Sequence, residues 1–490
     1  MSDFTELIDL AAERLGGAVL AANDEFFAPK ENLLKPAAPI WWEGKYTDVG
    51  KWMDGWETRR RREPGHDWCL IRLGLPGVPR GVVVDTAHFK GNFPEACSLE
   101  ACAVEGYPTA DELFAQSNKW DVILPRTRLQ GDTRNTFQIE KDCGRATHLL
   151  FRIYPDGGVA RLRVHGDVVP DWERLERRRS EIDLASAENG GLVLSCSDMF
   201  FGNRHNLLWP APPTGMHDGW ETRRRRGEGH DWAIVRLGAR GSLHRLEIDT
   251  SFFKGNAPGS AWVEGLDTPE IPQEPFVGWR EILPRTPLRP HTVHRFDQVS
   301  DDRPVTFLRL NIHPDGGVAR LRAFGTVAPL DLLNVLPESA AASRLLDCCS
   351  SNTWAWKVAR SRPFRTPDEL FAAAENAFDQ LGRDDWLEAF AAHPRIGERA
   401  AGEGPSSRWS EQEQAGTAGT PPEILEELAQ ANRLYEDRFD HVFLVCATGR
   451  SAFEMLDLLS ERLGNDPDTE LKVAANEQRK ITRLRLEKIL

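Results

Sequence analysis

The sequence predicts a multidomain protein, two all-β sandwiches followed by an all-α domain. Three observations carry this. A set of motifs is written twice in register. The doubled region consists of short β-branched runs closed by Gly and Pro. Near residue 333 the texture changes to capped, amphipathic helical patterns. A length of 490 residues suits about three domains, each large enough for its own core. The expected boundaries are 1–170, 185–330 and 333–490.

The duplication is the firmest of the three. The run from Asp54 through Trp56, Glu57 and Thr58 to Arg62 returns from Asp218 through Trp220, Glu221 and Thr222 to Arg226. At the same spacing follow Gly-His-Asp-Trp (Gly65 to Trp68, Gly229 to Trp232), Asp-Thr (Asp85, Asp249) and Phe-Lys-Gly-Asn (Phe89 to Asn92, Phe253 to Asn256). Ile123 to Thr127 matches Ile282 to Thr286, and Pro155 to Arg163 matches Pro314 to Arg322, with small drifts that place the insertions in loops. A period this long means duplicated domains rather than a solenoid. Polar residues kept in both copies become candidates for function.

Within each copy the elements read as strands. Cys69 to Leu73 and Val82 to Asp85 are β-branched runs bounded by Gly and Pro. Leu149 to Tyr154 and Val159 to Val164 flank Pro-Asp-Gly-Gly, a hairpin signal that recurs between Phe307 to Ile312 and Val318 to Ala323. The charged stretch from Asp171 to Asp183 reads as an exposed linker or short helix. In the third domain, Thr366-Pro367-Asp368-Glu369 is a capping box with Pro at the first helical position. Leu370, Phe371, Ala374, Phe378 and Leu381 follow at helical spacing, and Gly382 can close the helix. Ser451 with Glu454 opens a second helix ending near Gly464, and Leu471 to Leu490 reads as a third.

Composition narrows the function classes. The net charge of −14 and the local character of the two Arg runs argue against a nucleic-acid partner. The N-terminal stretch carries Asp3, Glu6 and Asp9 where a secretion signal would be basic, and no run reaches membrane-spanning length. The 8 cysteines show no Cys-x-x-Cys spacing, which suits reduced thiols in the cytoplasm. Small-molecule substrates are the expected partners, with neither nucleic acid nor membrane, and a homo-oligomer the expected assembly.

The repeated polar residues admit a structural and a functional reading. As a strand, the Trp-Glu-Thr-Arg run places Glu57, Arg59 and Arg61 on one face, either as a solvated edge with a Glu–Arg pair or as a grip on a small carboxylate. His66-Asp67 and His230-Asp231 sit on turns beside a core Trp, where an imidazole either bonds its neighbours or moves a proton. Lys90 with Asn92, and Lys254 with Asn256, put a cation and an amide beside a glycine. Asp85 and Asp249 equally suit turn capping. His and Asp are metal-ligand types, yet no ligand spacing argues for a metal.

Together the doubled Asp-Gly-Trp-Glu-Thr-Arg, Gly-His-Asp-Trp, Asp-Thr-x-x-Phe-Lys-Gly-Asn and Ile-Leu-Pro-Arg-Thr blocks resemble the allantoicase family over roughly residues 5 to 330. The resemblance implies jelly-roll sandwiches of the galactose-binding type and hydrolysis of allantoate to ureidoglycolate and urea. That reaction breaks a C–N bond at a carbon bearing a carboxylate and two ureido nitrogens. It needs an anion clamp, an acid for the leaving nitrogen and a base for the other N–H or for water, and no Ser or Cys nucleophile. On this basis Arg126 or Arg285 is the expected clamp. His66, His230, Asp67 and Asp231 are the expected acid–base groups, and Lys90, Asn92, Lys254 and Asn256 are expected to hold ureido oxygens. The part of a divalent metal in the hydrolysis is left open. The copies differ where His88 faces Phe252, and where His294 and His313 face Asn135 and Tyr154.

In the third domain, Ser351-x-x-Trp354, Arg362-Pro363-Phe364, His393-Pro394-Arg395-Ile396-Gly397, Glu413-Gln414-Ala415-Gly416, Phe443 to Arg450 and Leu484-Arg485-Leu486 resemble 2-oxo-4-hydroxy-4-carboxy-5-ureidoimidazoline (OHCU) decarboxylase over roughly residues 333 to 490. That resemblance implies a cofactor-free decarboxylation to (S)-allantoin. It makes His393 and Glu413 the acid–base pair, Gln414 a ring ligand and Arg485 the group binding a substrate carbonyl or carboxylate. Phe439-Asp440-His441-Val442-Phe443 departs from the family's more apolar Gly-Phe-x-Phe-Ile pattern, which bears on pocket shape. The rival readings are sandwiches that bind a small ligand without turnover, and a helical appendage without catalysis. The bifunctional enzyme is preferred because the catalytic-type positions are intact.

Overall fold

The computed structural model describes residues 3–115, 119–177, 181–273, 277–395, 409 and 420–490. It divides into two compact units. One holds both repeats (1–171 and 180–327); the other holds 172–179 with 328–490.

Each repeat is built around one long strand, Asp67–Asp85 in the first and Asp231–Asp249 in the second. The sequence reads Cys69 to Leu73 and Val82 to Asp85 as separate strands because Gly and Pro stand between them. Instead the chain bends there and continues. The first half of Asp67–Asp85 pairs with Ala146–Tyr154 and Ala18–Ala22, and the second half with Arg161–Val168 and Arg134–Gln138. Gly77 is the crossing point, opposite Ala146 on one side and Val168 on the other. A side chain there would meet the Asp167 carbonyl at 2.3 Å; at Gly241 the Thr326 carbonyl would stand at 2.4 Å. One strand thus serves both layers of the sandwich, the corner made where it changes partners. Outward from it the sheet continues through Ala96–Cys102 to Asp121–Arg128, and the second repeat has the same order. The result is the predicted pair of antiparallel β-sandwiches.

The Pro-Asp-Gly-Gly turn is not a hairpin. Its flanking strands pair with different halves of Asp67–Asp85 and not with each other, so the turn carries the chain from one layer to the other. The turn is held by the doubled motif. Thr58 Oγ1 accepts from Gly157 N at 3.1 Å, and Arg61 N donates to Asp156 at 2.8 Å. Below it Trp56 and Trp220 are fully buried, each indole donating 2.8 Å to a carbonyl, that of Asp24 or Asp198. A buried ion pair completes the frame. Arg161 donates 2.7 Å to the Asp54 carboxylate, and Arg320 donates 3.0 Å to Asp218. Burial opposes ionisation of Asp54, but Arg161, the Ile40 N–H and Lys35 outweigh it and hold the carboxyl below its ordinary range.

The stretch expected as an exposed linker or short helix carries a short helix, Trp172–Arg177, whose first residue, Trp172, is buried. It belongs to the helical unit, since an indole at the start of a charged run needs a core to cover it.

In the helical unit Thr366 caps Pro367–Asp379 as its spacing predicts. The Glu369 carboxylate reaches back to the Arg365 N–H at 2.7 Å instead of that of Thr366. Gly382 does not end this helix. Gln380 does, and Gly382 opens the next, Arg383–Ala391, its N–H donating to Asp385. Ser451 and Glu454 form a reciprocal capping box on Ala452–Arg462. The last helix, Pro467–Lys488, starts earlier than its apolar pattern because Asp466 caps it. Pro422–Phe439 ends at Asp440 with φ 59°, the left-handed cap position where helices favour Gly.

Candidate active sites

The first repeat carries an open cavity of about 670 Å³. Three parts of the chain build its wall. Glu57 comes from the doubled motif. His88, Lys90, Gly91, Asn92 and Asp132 come from the turns after the long strand and after Asp121–Arg128. Trp41, Lys51 and Met53 come from the segment before Asp54. Burial pushes the Glu57 carboxyl above its ordinary range, and the 2.7 Å hydrogen bond from Asn92 Nδ2 only partly offsets it. A carboxylate so placed is a better base than an exposed one. His88 stands in the left-handed region (φ 70°). Its backbone N–H is held by Asp132 at 2.7 Å, and its Nε2 lies 3.3 Å from the Pro39 carbonyl.

The segment carrying Trp41 and Lys51 is stiffened by cation–aromatic contacts. Lys51 Nζ lies 3.9 Å over the Trp41 ring; Lys45 Nζ lies 4.4 Å over Trp42 and 3.9 Å over Trp52. Each such contact at an exposed site is worth about 0.5–1 kcal/mol. Tyr46–Thr47 and Gly50–Lys51 pair as a small ribbon beneath them.

Of the residues expected from the sequence, Lys90 and Asn92 line this cavity; His66, Asp67 and Arg126 do not. His66 and Arg126 meet across Tyr154 on the neighbouring sheet face. The His66 ring is 5.3 Å from Tyr154, and the Arg126 guanidinium is 4.5 Å over it. Burial, then Arg152 and Arg61, lower the His66 pKa. The second repeat repeats the arrangement with Trp262. His230 lies 4.6 Å from the ring and Arg285 5.6 Å over it, and burial again lowers the His230 pKa, here against a bond to Asn311. Asp67 and Asp231 are buried and engaged, Asp67 by Arg61 at 2.7 Å and Asn23 at 2.8 Å, Asp231 by Arg225 and Ser197. Arg59 pairs with Asp24, so within the Arg run two guanidiniums serve as anchors. Asp85 and Asp249 cap turns, accepting from Ala87 N and Ser251 N. In the second repeat Asn256 donates 2.6 Å to Glu221, as Asn92 does to Glu57, and Lys254 is exposed beside it. Among the described residues no group of three His, Cys, Asp or Glu could hold a metal ion.

In the helical unit Arg485 is buried on Pro467–Lys488 and donates 3.5 Å to the Asp347 carbonyl. His393 is half-buried just past Arg383–Ala391, its N–H on the Phe390 carbonyl. Glu413 and Gln414 lie outside the described residues.

Residues 8–169 and 182–328 match the allantoicase repeat, and 334–487 match OHCU decarboxylase. The chain belongs to the allantoicase family. A decarboxylase domain is joined to its repeats, which makes it a bifunctional enzyme of ureide catabolism. It is 47% identical to the allantoicase of Dictyostelium discoideum over 325 residues, 65% of this chain and 86% of that protein. It is 49% identical to a probable allantoicase of Nocardia farcinica over 325 residues, 66% of this chain and 95% of that one. The crystal structure of Saccharomyces cerevisiae allantoicase superposes with a TM-score of 0.56 at 36% identity, covering 65% of this chain and 93% of that chain. Three residues that line the cavity, Glu57, Trp41 and Lys51, were not among the candidates legible in the sequence. Glu57 was visible in the most strictly doubled motif but was assigned to an Arg partner. Trp41 and Lys51 carried no repeat signal, because the corresponding segment of the second copy is shorter and has Gly215 at the place of Lys51.

Proposed function

We propose that the first-repeat cavity hydrolyses allantoate to ureidoglycolate and urea, and that the helical unit decarboxylates OHCU to (S)-allantoin. The observation that carries the first assignment is the cavity lining: two lysines for a carboxylate, an amide for ureido groups, and a desolvated carboxylate beside them. Lys51 and Lys90 take the substrate carboxylate. Glu57 accepts the N–H proton of the ureido nitrogen that stays. That nitrogen's electron pair then forms a C=N bond as the other C–N bond breaks, His88 delivers a proton to the departing urea nitrogen, and water adds to the imine carbon. Water gives its oxygen to that carbon and a proton to the nitrogen, the proton on Glu57 returns to His88 through solvent, and the sum is allantoate plus water giving ureidoglycolate plus urea. His66 and Arg126, with Asp67, Asp231, His230 and Arg285, then serve the frame of the sandwiches.

In the helical unit His393 and Glu413 form the acid–base pair, Gln414 holds the ring and Arg485 binds a carbonyl or carboxylate of the imidazoline. Carbon dioxide leaves, the ring carbonyl takes up the electron pair and one proton is delivered to one face. Arg485, a buried cation at the end of a long helix, supports this reading.

The test is urea release from allantoate by the purified chain. Glu57→Gln lowers kcat by about 100-fold or more, while His66→Ala leaves it within a few-fold; the reverse result removes the assignment. Run with and without chelator, the same assay reads whether a divalent ion takes part. His393→Ala should abolish decarboxylation and leave urea release intact. The reading extends to a cytoplasmic homo-oligomer. All eight cysteines are free thiols, and the exposed Phe200 and Phe201 suit contact with a further copy.

A further inference from the structure

The second repeat keeps half of the cavity constellation. Asn256 holds Glu221, and Lys254 follows the same turn. If those groups sufficed, both repeats would turn over substrate. The rest has been replaced. Phe252 stands at the left-handed position of His88 (φ 69° against 70°), and His291 at that of Asp132. Gly215 and His217 stand where Lys51 and Met53 do. The segment from Leu34 to Asp54 is about twice as long as that from Leu208 to Asp218, so nothing in the second repeat corresponds to Trp41.

The short segment is also committed elsewhere. Arg14 of the first repeat pairs with Asp218 and lies 4.6 Å over the Trp209 ring. It joins the two sandwiches instead of walling a cavity. The aromatic beneath shows the consequence. Phe27 lines the cavity, its ring 3.6 Å from where a side chain at Gly50 would begin, whereas its counterpart Phe201 is 62% exposed.

From this asymmetry we infer that allantoate turnover is confined to the first repeat, and that Trp41 and Lys51 are the substrate-binding residues that confine it. The inference rests on the assignment of the cavity to that reaction. Allantoate joins a carboxylate to two flat ureido groups. The wall holds the Lys51 ammonium 3.9 Å over the Trp41 indole, so the carboxylate of the acid meets Lys51 while a ureido group lies against the part of Trp41 that lines the cavity. The second repeat offers Lys254 without either, and acts as scaffold.

The test compares Glu57→Gln with Glu221→Gln, and Trp41→Ala with Lys51→Met, in the full-length chain. The denaturant unfolding midpoint of each variant, compared with the parent's, serves as the control for folding of the sandwiches. Glu57→Gln is expected to lose about 100-fold in urea release and Glu221→Gln to stay within twofold. Trp41→Ala and Lys51→Met are expected to raise KM about tenfold with a smaller change in kcat. A loss of half or more of the rate in Glu221→Gln overturns confinement while leaving the chemistry of the cavity standing. Unchanged KM in both wall variants overturns their role. Full activity in Glu57→Gln and Glu221→Gln alike overturns the cavity assignment itself, a different failure from the other two.

Discussion

In the first sandwich the carboxylate of the buried pair Arg161–Asp54 follows directly on Met53 of the cavity wall; in the second, that of Arg320–Asp218 is shared with Arg14 of the other repeat. The frame is common to both: the buried Trp, the Thr58 or Thr222 hold on the turn, the glycine at the strand crossing. What differs is carried by one surface segment and two turn residues. Duplication therefore preserved the frame together with Glu57, Lys90 and Asn92 (Glu221, Lys254 and Asn256 in the second copy), and changed Trp41, Lys51, His88 and Asp132. Retention in both copies marks foldedness at least as strongly as it marks chemistry.

The largest expected effect tests whether the frame is shared. Arg161→Ala and Arg320→Ala each leave a buried carboxylate without its main partner, and each should cost about 3–5 kcal/mol in denaturant unfolding. A loss below about 1 kcal/mol in one repeat alone would mean that the sandwiches do not depend on the same pin. Next come Gly158→Ala and Gly317→Ala. A methyl group would stand 1.9 Å from a Phe89 ring carbon in the first and 2.0 Å from one of Phe253 in the second. Overpacking of about 1–3 kcal/mol is expected in both.

The fold was legible because its determinants are local and doubled. Trp56, Thr58 and Asp54 recur in register, and the capping residues Thr366 and Ser451 announce their helices. What was not legible depended on contacts between distant parts of the chain. The Pro-Asp-Gly-Gly turn reads as a hairpin until its strands are seen on opposite halves of Asp67–Asp85. The site was only partly legible for the same reason. Lys90 and Asn92 could be picked out by repetition, but nothing in the sequence ties Glu57 to Asn92 across 35 positions. His66 and Arg126 were visible as chemistry, yet the fold brings them to Tyr154 rather than to the lysines.

A second asymmetry lies inside the sheets. His148 is buried in the first repeat, its Nδ1 2.8 Å from Thr147 Oγ1 and its Nε2 without a partner; Phe307 occupies that place in the second. Burial, then Arg72, lower the His148 pKa to about 4. The unfolded chain therefore binds the extra proton first. The stability this neutral His allows is complete above about pH 6.5 and is lost as pH falls towards 4. His148→Phe should flatten the loss of stability over that window, by roughly 3 kcal/mol at its acid end. A variant whose unfolding midpoint falls with acid as steeply as the parent's would locate the sensitivity elsewhere, with His205, also lowered to about 4 by burial, the next residue to replace.

At the cavity the comparison sharpens through pH. The Asn92 hydrogen bond favours the ionised form of Glu57 against burial. Asn92→Ala should therefore move the acid limb of urea release to higher pH while lowering its plateau. A limb that stays in place would show that another group governs it.

The smallest expected effect concerns the junction. Arg14 is partly exposed, and its pairing with Asp218 and stacking on Trp209 link the repeats at the segment whose counterpart walls the cavity. Asp218 keeps Arg320 and the Thr214 N–H when Arg14 is removed, so Arg14→Ala should cost only about 0.2–1 kcal/mol. Its value lies in what else moves. If the short segment serves joining alone, urea release keeps its kcat and KM in this variant. A change in KM would mean that the second repeat, through that segment, takes part in holding the substrate, and the division of labour between the sandwiches would have to be redrawn.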